Sequence, residues 1–257
     1  MGLAAKTPDQ VRAMRRAGLV VAQVLDAVTR ASRPGTTPKD LDALAARMIA
    51  DAGAQPSFLG YHGYPATICT SVNEVVVHGI PDDRPLRDGD VISVDCGAIV
   101  EGWHGDAAVT IGVGALSEPV AELVAACQRS LLAGIATMTV GNRLSDIGAA
   151  VQHSVEQSGP YGILTDFTGH GIGRAMHEPP FVPNYRTRRR GPRLDAGVVL
   201  AVEPMITLGS SEVSVDPDGW TVRTDDGSWA AHVEHTIAVT PAGPWVLTAL
   251  DSPEPGA

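Results

Sequence analysis

One arrangement occurs twice along this chain, and it constrains the fold more than any other feature. A helix, a glycine turn, a second helix and an apolar strand ending in an acidic residue run from Thr7 to Asp95, and the same order returns from Glu118 to Glu203. At the junction between the helices, Gly35, Asp40, Leu41 and Ala43 correspond to Gly141, Asp146, Ile147 and Ala149 at a constant offset of 106. Further on, Gly89-Asp90-Val91-Ile92-Ser93-Val94-Asp95 corresponds to Gly197-Val198-Val199-Leu200-Ala201-Val202-Glu203 at an offset of 108. Chance likeness between amphipathic helices and apolar strands is the competing account. If the halves, about 1–115 and 116–257, are related by an approximate twofold axis, the chain is a single α+β domain. Glu203 is then the counterpart of Asp95, and Val233-Glu234-His235-Thr236-Ile237 is the counterpart of the strand carrying Asp106.

The local signals agree with this order. Apolar residues Val11, Met14, Leu19, Val21, Val24, Leu25 and Val28 recur at helical spacing, and Thr7-Pro8 supplies a cap followed by a first-turn proline. Thr37-Pro38 starts a second helix and Gly53 ends it. Two more helices are predicted, from about Glu118 to Met138 and from about Leu144 to Gln157. Between Gly89 and Ile111, two β-branched runs flank Val100-Glu101-Gly102 and read as a hairpin. With the turn centred between Val100 and Glu101, Asp95 and Asp106 are directly opposed on one face. Like charges so placed need a shared cation or a shared proton. A site of four acids makes the cation the stronger reading, because each isolated buried charge costs several kcal/mol to desolvate.

Thr168-Gly169-His170-Gly171-Ile172-Gly173-Arg174 puts a histidine among glycines. A phosphate cradle needs a following helix, which Glu178-Pro179-Pro180 blocks. His177-Glu178 is not a zinc-protease helix, since Phe181 stands where the second histidine belongs. No GxSxG elbow occurs. A metal ligand is the preferred reading of His170, with a structural histidine as the plain alternative. Two Asp, two Glu and one His suit a pair of divalent ions such as Mn, Fe, Co or Zn better than one structural zinc. Such pairs serve metal-assisted hydrolysis.

Composition excludes several classes. The 44% apolar content supports a sizeable core, and the basic, interrupted amino-terminal helix reads as neither signal peptide nor membrane span. Cys69, Cys96 and Cys127 are odd in number and lack a CxxC, which fits reduced thiols in the cytoplasm. A formal charge of -10 argues against a nucleic-acid-binding surface and specific DNA binding. Arg186-Thr187-Arg188-Arg189-Arg190-Gly191-Pro192-Arg193 is a local exception; a solvated loop is the default, and ribosomal RNA is the sharper alternative. The tail from Asp251 to Ala257 is expected to fray.

The five residues Asp95, Asp106, His170, Glu203 and Glu234 occur together with Tyr61-His62-Gly63-Tyr64-Pro65, Asn73-Glu74-Val75-Val76-Val77-His78-Gly79-Ile80-Pro81 and Val202-Glu203-Pro204-Met205. In this combination the chain resembles the bacterial type I methionine aminopeptidases over nearly its whole length. The ligand order is shared with prolidase and aminopeptidase P, but the YHGYP and NEVVVHGIP stretches are not typical of those relatives. The resemblance implies the pseudo-symmetric pita-bread fold, with an antiparallel sheet and helices packed on its outer face. It also implies a cytoplasmic, monomeric enzyme that removes the N-terminal methionine from nascent polypeptides, in transient contact with the ribosome and with no membrane partner. The metal ligands would be the five residues named, holding two divalent ions (Co, Mn, Fe or Zn), with Glu203 also shuttling a proton. His78 would contact the scissile amide nitrogen and His177 the developing oxyanion. The methionine pocket would be built by Phe58, Tyr61, Tyr64, Cys69, His78, Met176 and Trp220. Phe58 replaces a common cysteine and Met176 a common phenylalanine, which bears on pocket width. Type I without an amino-terminal extension is the expectation. A proline-specific peptidase of the same fold and a noncatalytic pita-bread binding protein are the rivals, and the complete ligand set argues against the second.

Overall fold

The computed structural model describes residues 3–256. Four helices, α1 (Pro8–Ala31), α2 (Pro38–Asp51), α3 (Glu118–Ala136) and α4 (Leu144–Ser158), cover four small sheets whose strand pairs are all antiparallel. α1 begins with a capping box in which the Thr7 hydroxyl accepts from Gln10 N and the Gln10 side chain accepts from Thr7 N. Thr37 and Asp40 repeat this at α2, and the Asp40 equivalent, Asp146, accepts from Arg143 N at α4. The glycines entering the corresponding segments share their backbone conformation: φ is 93° at Gly35 and 97° at Gly141, 90° at Gly89 and 89° at Gly197. These left-handed values require glycine, so the sequence correspondence reflects shared geometry.

Each helix pair covers the outer face of one set of strands. Strand Val91–Val100 turns Ile92, Val94, Cys96 and Ala98 toward Val21, Leu25, Leu41 and Ile49 of α1 and α2. Strand Val199–Val202 turns Leu200 and Val202 toward Leu123, Leu131 and Ile147 of α3 and α4. Because side chains alternate along a strand, the same packing that seats the helices sends Ser93, Asp95 and Gly97 to the opposite, inner face.

The hairpin register differs from the sequence expectation. Val91–Val100 pairs with Trp103–Gly112 so that Asp95 lies opposite Ala108 and Asp106 opposite Gly97. The turn is Glu101-Gly102, with φ of 52° and 75°, the conformation that a two-residue hairpin favours. Val100, being β-branched, is a poor occupant of that region, which moves the turn one residue along and the ladder by two. A shift of two keeps the face: the carboxylates are diagonal neighbours on the inner side.

The tail also differs. Trp245 Nε1 donates to Ser252 O at 3.1 Å, and Arg12 pairs with Glu254 at 3.1 Å, so Ser252 is joined to the strand Gly243–Val246 and Glu254 to α1; Ala257 lies outside the described residues. The arginines from Arg186 to Arg193 are exposed. No helix among the described residues is long and apolar enough to cross a membrane.

Candidate active site

Backbone locks between the two halves bring the acids together. Glu234 N donates to Ala108 O at 2.9 Å and Ala108 N donates to Glu234 O at 3.3 Å, joining Glu234 to the strand that carries Asp106. Thr236 sits beside this bridge: Asp106 N donates to its hydroxyl at 3.0 Å, and the hydroxyl donates to Asp106 O at 2.8 Å. Glu203 follows directly on strand Val199–Val202, which pairs with His235–Thr240, and one further step of that ladder sets Glu203 opposite Glu234. Asn184 Nδ2 holds the Glu203 carbonyl at 3.0 Å. Strand Gly169–Gly171 lies on the other side of Val199–Val202, with His170 paired to Ala201.

The side chains meet at the bottom of a cavity of about 340 Å³. Its lining includes Asp95, Asp106, His170, Glu203 and Glu234, together with His78, His177 and Phe58, Tyr61, Tyr64, Cys69, Met176 and Trp220. Every residue the sequence assigns to the metal ligands, the two histidines and the methionine pocket thus faces one space. His62 faces it too, and the sequence reading gave it no role. Its signal was its place inside the YHGYP stretch, where its φ of 47° marks an unusual backbone for a non-glycine residue.

The acid cluster is out of balance without a counter-charge. Burial pushes Asp95 up to about 7. Burial, with the neighbouring charges, holds Asp106, Glu203 and Glu234 well above the usual carboxylate range. Asp95 Oδ1, Asp106 Oδ1 and Glu234 Oε1 are buried with no hydrogen-bond partner. Buried acceptors are normally satisfied, so these oxygens point to cations. His170 fits the same demand. Its Nδ1–H donates to Gly171 O at 2.9 Å, which leaves the lone pair on Nε2, 3.7 Å from Glu203 Oε1 and 3.9 Å from Asp106 Oδ2. Burial, with His177 nearby, lowers His170 to about 4, so it is neutral and able to donate that lone pair at neutral pH. Ligand atoms of Asp106, His170 and Glu234 lie within 4.8 Å of one another.

Toward the opening stand two further imidazoles. His78, in the left-handed region at φ 60°, packs edge-on against Phe167 and Trp220, and burial followed by His177 lowers it to about 4. His177 Nδ1 shares a 2.8 Å hydrogen bond with the Tyr61 hydroxyl, and its ring lies 4.2 Å from that of His170, tilted by 56°. The loop under it is held by Glu178, whose Oε1 accepts from Arg174 N at 2.8 Å and Ala175 N at 3.2 Å, while Oε2 pairs with Lys6 at 3.0 Å.

The other end of the cavity is apolar. Phe58, Tyr64, Cys69 and Met176 are buried in one cluster, with Tyr61 and Trp220 packed against it. Tyr64 OH donates to Gly79 O at 2.9 Å, and Trp220 meets the Tyr64 ring edge-on at 5.1 Å. Gly97 makes room for this wall: a Cβ there would lie 2.7 Å from Ser57 Cβ and 2.9 Å from Phe58 Cε1.

Comparison with known proteins agrees with this geometry. The model of metallopeptidase family M24 matches residues 12–241. The chain is 52% identical over 249 residues to methionine aminopeptidase 1 of Mycobacterium tuberculosis, covering 95% of this chain and 94% of that protein. It is 45% identical over 243 residues to methionine aminopeptidase 1 of Bacillus subtilis, covering 95% and 98%. The crystal structure of methionine aminopeptidase from Thermotoga maritima superposes with a TM-score of 0.93 at 42% identity, over 96% of this chain and 99% of that one. Prolidase from Pyrococcus furiosus shares the fold, with a TM-score of 0.76 at 19% identity over 96% of this chain and 66% of that one.

Proposed function

The chain belongs to metallopeptidase family M24, and on that footing we propose that it is a metal-dependent aminopeptidase removing the initiator methionine from nascent polypeptides whose second residue is small. The observation that carries this reading is a single cavity with an apolar, sulfur-containing end and an acid-imidazole end. An unbranched thioether suits Phe58, Tyr64, Cys69, Met176 and Trp220, which offer aromatic edges and soft sulfur. Charged side chains are excluded by the same wall.

Asp95, Asp106, His170, Glu203 and Glu234 would hold two divalent ions, of the Mn, Fe, Co or Zn kind. Ions so held lower the pKa of coordinated water and polarise a carbonyl oxygen. The protein groups do the rest. His78 meets the scissile amide nitrogen, His177 supports the oxygen that gains charge, and Glu203 carries a proton between the attacking and departing groups. Tyr61, bonded to His177, fixes the direction of that imidazole. The residue after methionine lies beside the carboxylates and histidines, where a bulky side chain displaces the amide, and a misplacement of about 1 Å can cost 10²-fold. The cytoplasm is the compartment of this reading, with the monomer as the working form. Transient contact of the exposed Arg186–Arg193 stretch with ribosomal RNA would bring it to its substrate.

Metal-loaded protein offered a short peptide panel tests this. Met-Ala-Ser and Met-Gly peptides are cut, Met-Lys and Met-Leu hardly at all, and norleucine in place of methionine costs only about 1–3 kcal/mol. Cleavage of Ala-Pro or Gly-Pro peptides with Met-Ala-Ser ignored would replace the proposal with a proline-specific peptidase.

A further inference from the structure

His232 lies outside the ligand set, yet its side chain is aimed into the same cluster. The residue is 1% exposed, and its Nε2 is the one nitrogen among the buried side-chain atoms that lack a hydrogen-bond partner in the described residues. That atom stands 3.6 Å from Glu203 Oε2. The distance is too long for a hydrogen bond. It suits two donors on one cation: with bonds of about 2.1 Å spread between tetrahedral and trigonal angles, ligand atoms lie roughly 3.4–3.6 Å apart. His170 Nε2 stands 3.7 Å from the other oxygen of the same carboxylate, Oε1. Glu203 is therefore flanked by two imidazoles, each facing a different oxygen.

The position of His232 is built. Its backbone N donates to Thr110 Oγ1 at 3.0 Å and Ser93 Oγ at 3.3 Å, and Thr110 Oγ1 lies 2.6 Å from the His232 carbonyl. Ser93 and Thr110 are directly opposed on the hairpin that carries Asp95 and Asp106. His232 is also opposed to Met205, two residues past Glu203. The strand bearing the imidazole is thus fastened to both carboxylate-bearing segments. Ligand atoms of Glu203, His232 and Glu234 lie within 4.8 Å of one another.

We propose that Glu203, His232 and Glu234 form a third divalent-cation subsite, adjoining the pair of ions and sharing Glu203 and Glu234 with it. One imidazole and two carboxylates suit Mn, Fe, Co or Zn better than Mg or Ca. Because both glutamates already serve the first two ions, the third is the weakest and fills last. This inference rests on the reading of the cluster as a metal centre.

The test titrates cobalt(II) chloride into chelator-stripped protein, followed by calorimetry and by visible absorption. Wild-type protein takes up three equivalents, the last one weaker and with its own absorption change. His232→Gln and His232→Leu take up two, and the third absorption change is lost. The glutamine variant keeps a polar side chain if leucine upsets the fold. Two equivalents in wild type, or three in both variants, overturns the proposal. Unchanged stoichiometry with weakened tight binding also overturns it, since His232 would then only hold Glu203 in place. No cobalt uptake by wild type at all, or full uptake by Asp106→Ala, strikes instead at the metal-centre reading.

Discussion

Asp95→Asn should make the metal-free protein more stable at neutral pH while it weakens metal binding. Burial raises the Asp95 carboxyl from 3.8 to about 7, with a hydrogen bond from Asp106 opposing the rise. At 1.36 kcal/mol per factor of ten, ionising it inside the fold costs about 4 kcal/mol relative to the unfolded chain. The sign follows: a carboxyl raised in the fold lends its stability below pH 3.8, and that stability is lost as pH rises through about 7. Asparagine carries no such charge. Raw stability against pH does not isolate this effect. His78, His170 and His235 are held to about 4 and His232 to about 3, mainly by burial, and these groups destabilise the fold as pH falls below their ordinary 6.5. The quantity to measure is the difference between Asp95→Asn and wild type, both stripped by chelator, in urea unfolding from pH 4 to 8. It should be near zero at pH 4 and reach about 4 kcal/mol by pH 7.5. In a chain of this size that corresponds to roughly 8–16 °C in Tm. A flat difference across the range would refute the argument that the acids are buried against their charge.

Chelation should abolish hydrolysis and a divalent ion restore it; Asp106→Ala should lose metal and activity together, whereas Glu101→Ala in the turn should change neither, as metal analysis and peptide assays will show. His177→Ala should keep the metal stoichiometry and lose about 10²–10³ in turnover, as for one electrostatic stabiliser, and loss of metal would move this histidine into the ligand set. Lys6→Met removes the partner of Glu178, which fixes the backbone at Arg174 and Ala175 beneath His177. Turnover should fall by about tenfold with cobalt stoichiometry intact, and Lys6→Arg should restore it, since misplacement of a positioned group lowers rate before binding. Equal kcat in Lys6→Met would show that the ion pair is only structural.

Much of this molecule was legible before the structure because its signals are local. Thr7-Pro8 and Thr37-Pro38 start α1 and α2 where the caps said they would, and glycines end or join the elements. The offset of 106 between the halves is kept to the residue at the helix starts, Pro38 and Leu144. The fastenings across the halves were not legible. Ala108 meets Glu234 through backbone groups that every residue possesses, and the Thr236 hydroxyl meets the Asp106 backbone, both across more than 120 residues. His232 was missed for a related reason: two residues before Glu234, in a strand, it carries no spacing signal. Only the Ser93–Thr110 clamp and the orphaned Nε2 set it apart. The tail misled because composition reports what proline and glycine allow, not whether Arg12 and Trp245 reach it.

The hairpin explains why Asp95 and Asp106 share a face although their register differs from the one the sequence predicts. What the acids need is a shared face, and face depends only on whether a strand slips by an even or an odd number of residues. Moving the turn to Glu101-Gly102 shifted the pairing by two, so Asp95 and Asp106 became diagonal instead of opposed, still on the inner side. An odd slip would have sent Asp106 among the helix-facing residues, where Ala107 and Ile111 now pack. The outer face therefore protects the inner one: the apolar contacts of α1 and α2 fix the parity of the strands, and the positions of the carboxylates follow from that parity. Diagonal placement also separates the two acids further than direct opposition, which leaves more room between them for a cation.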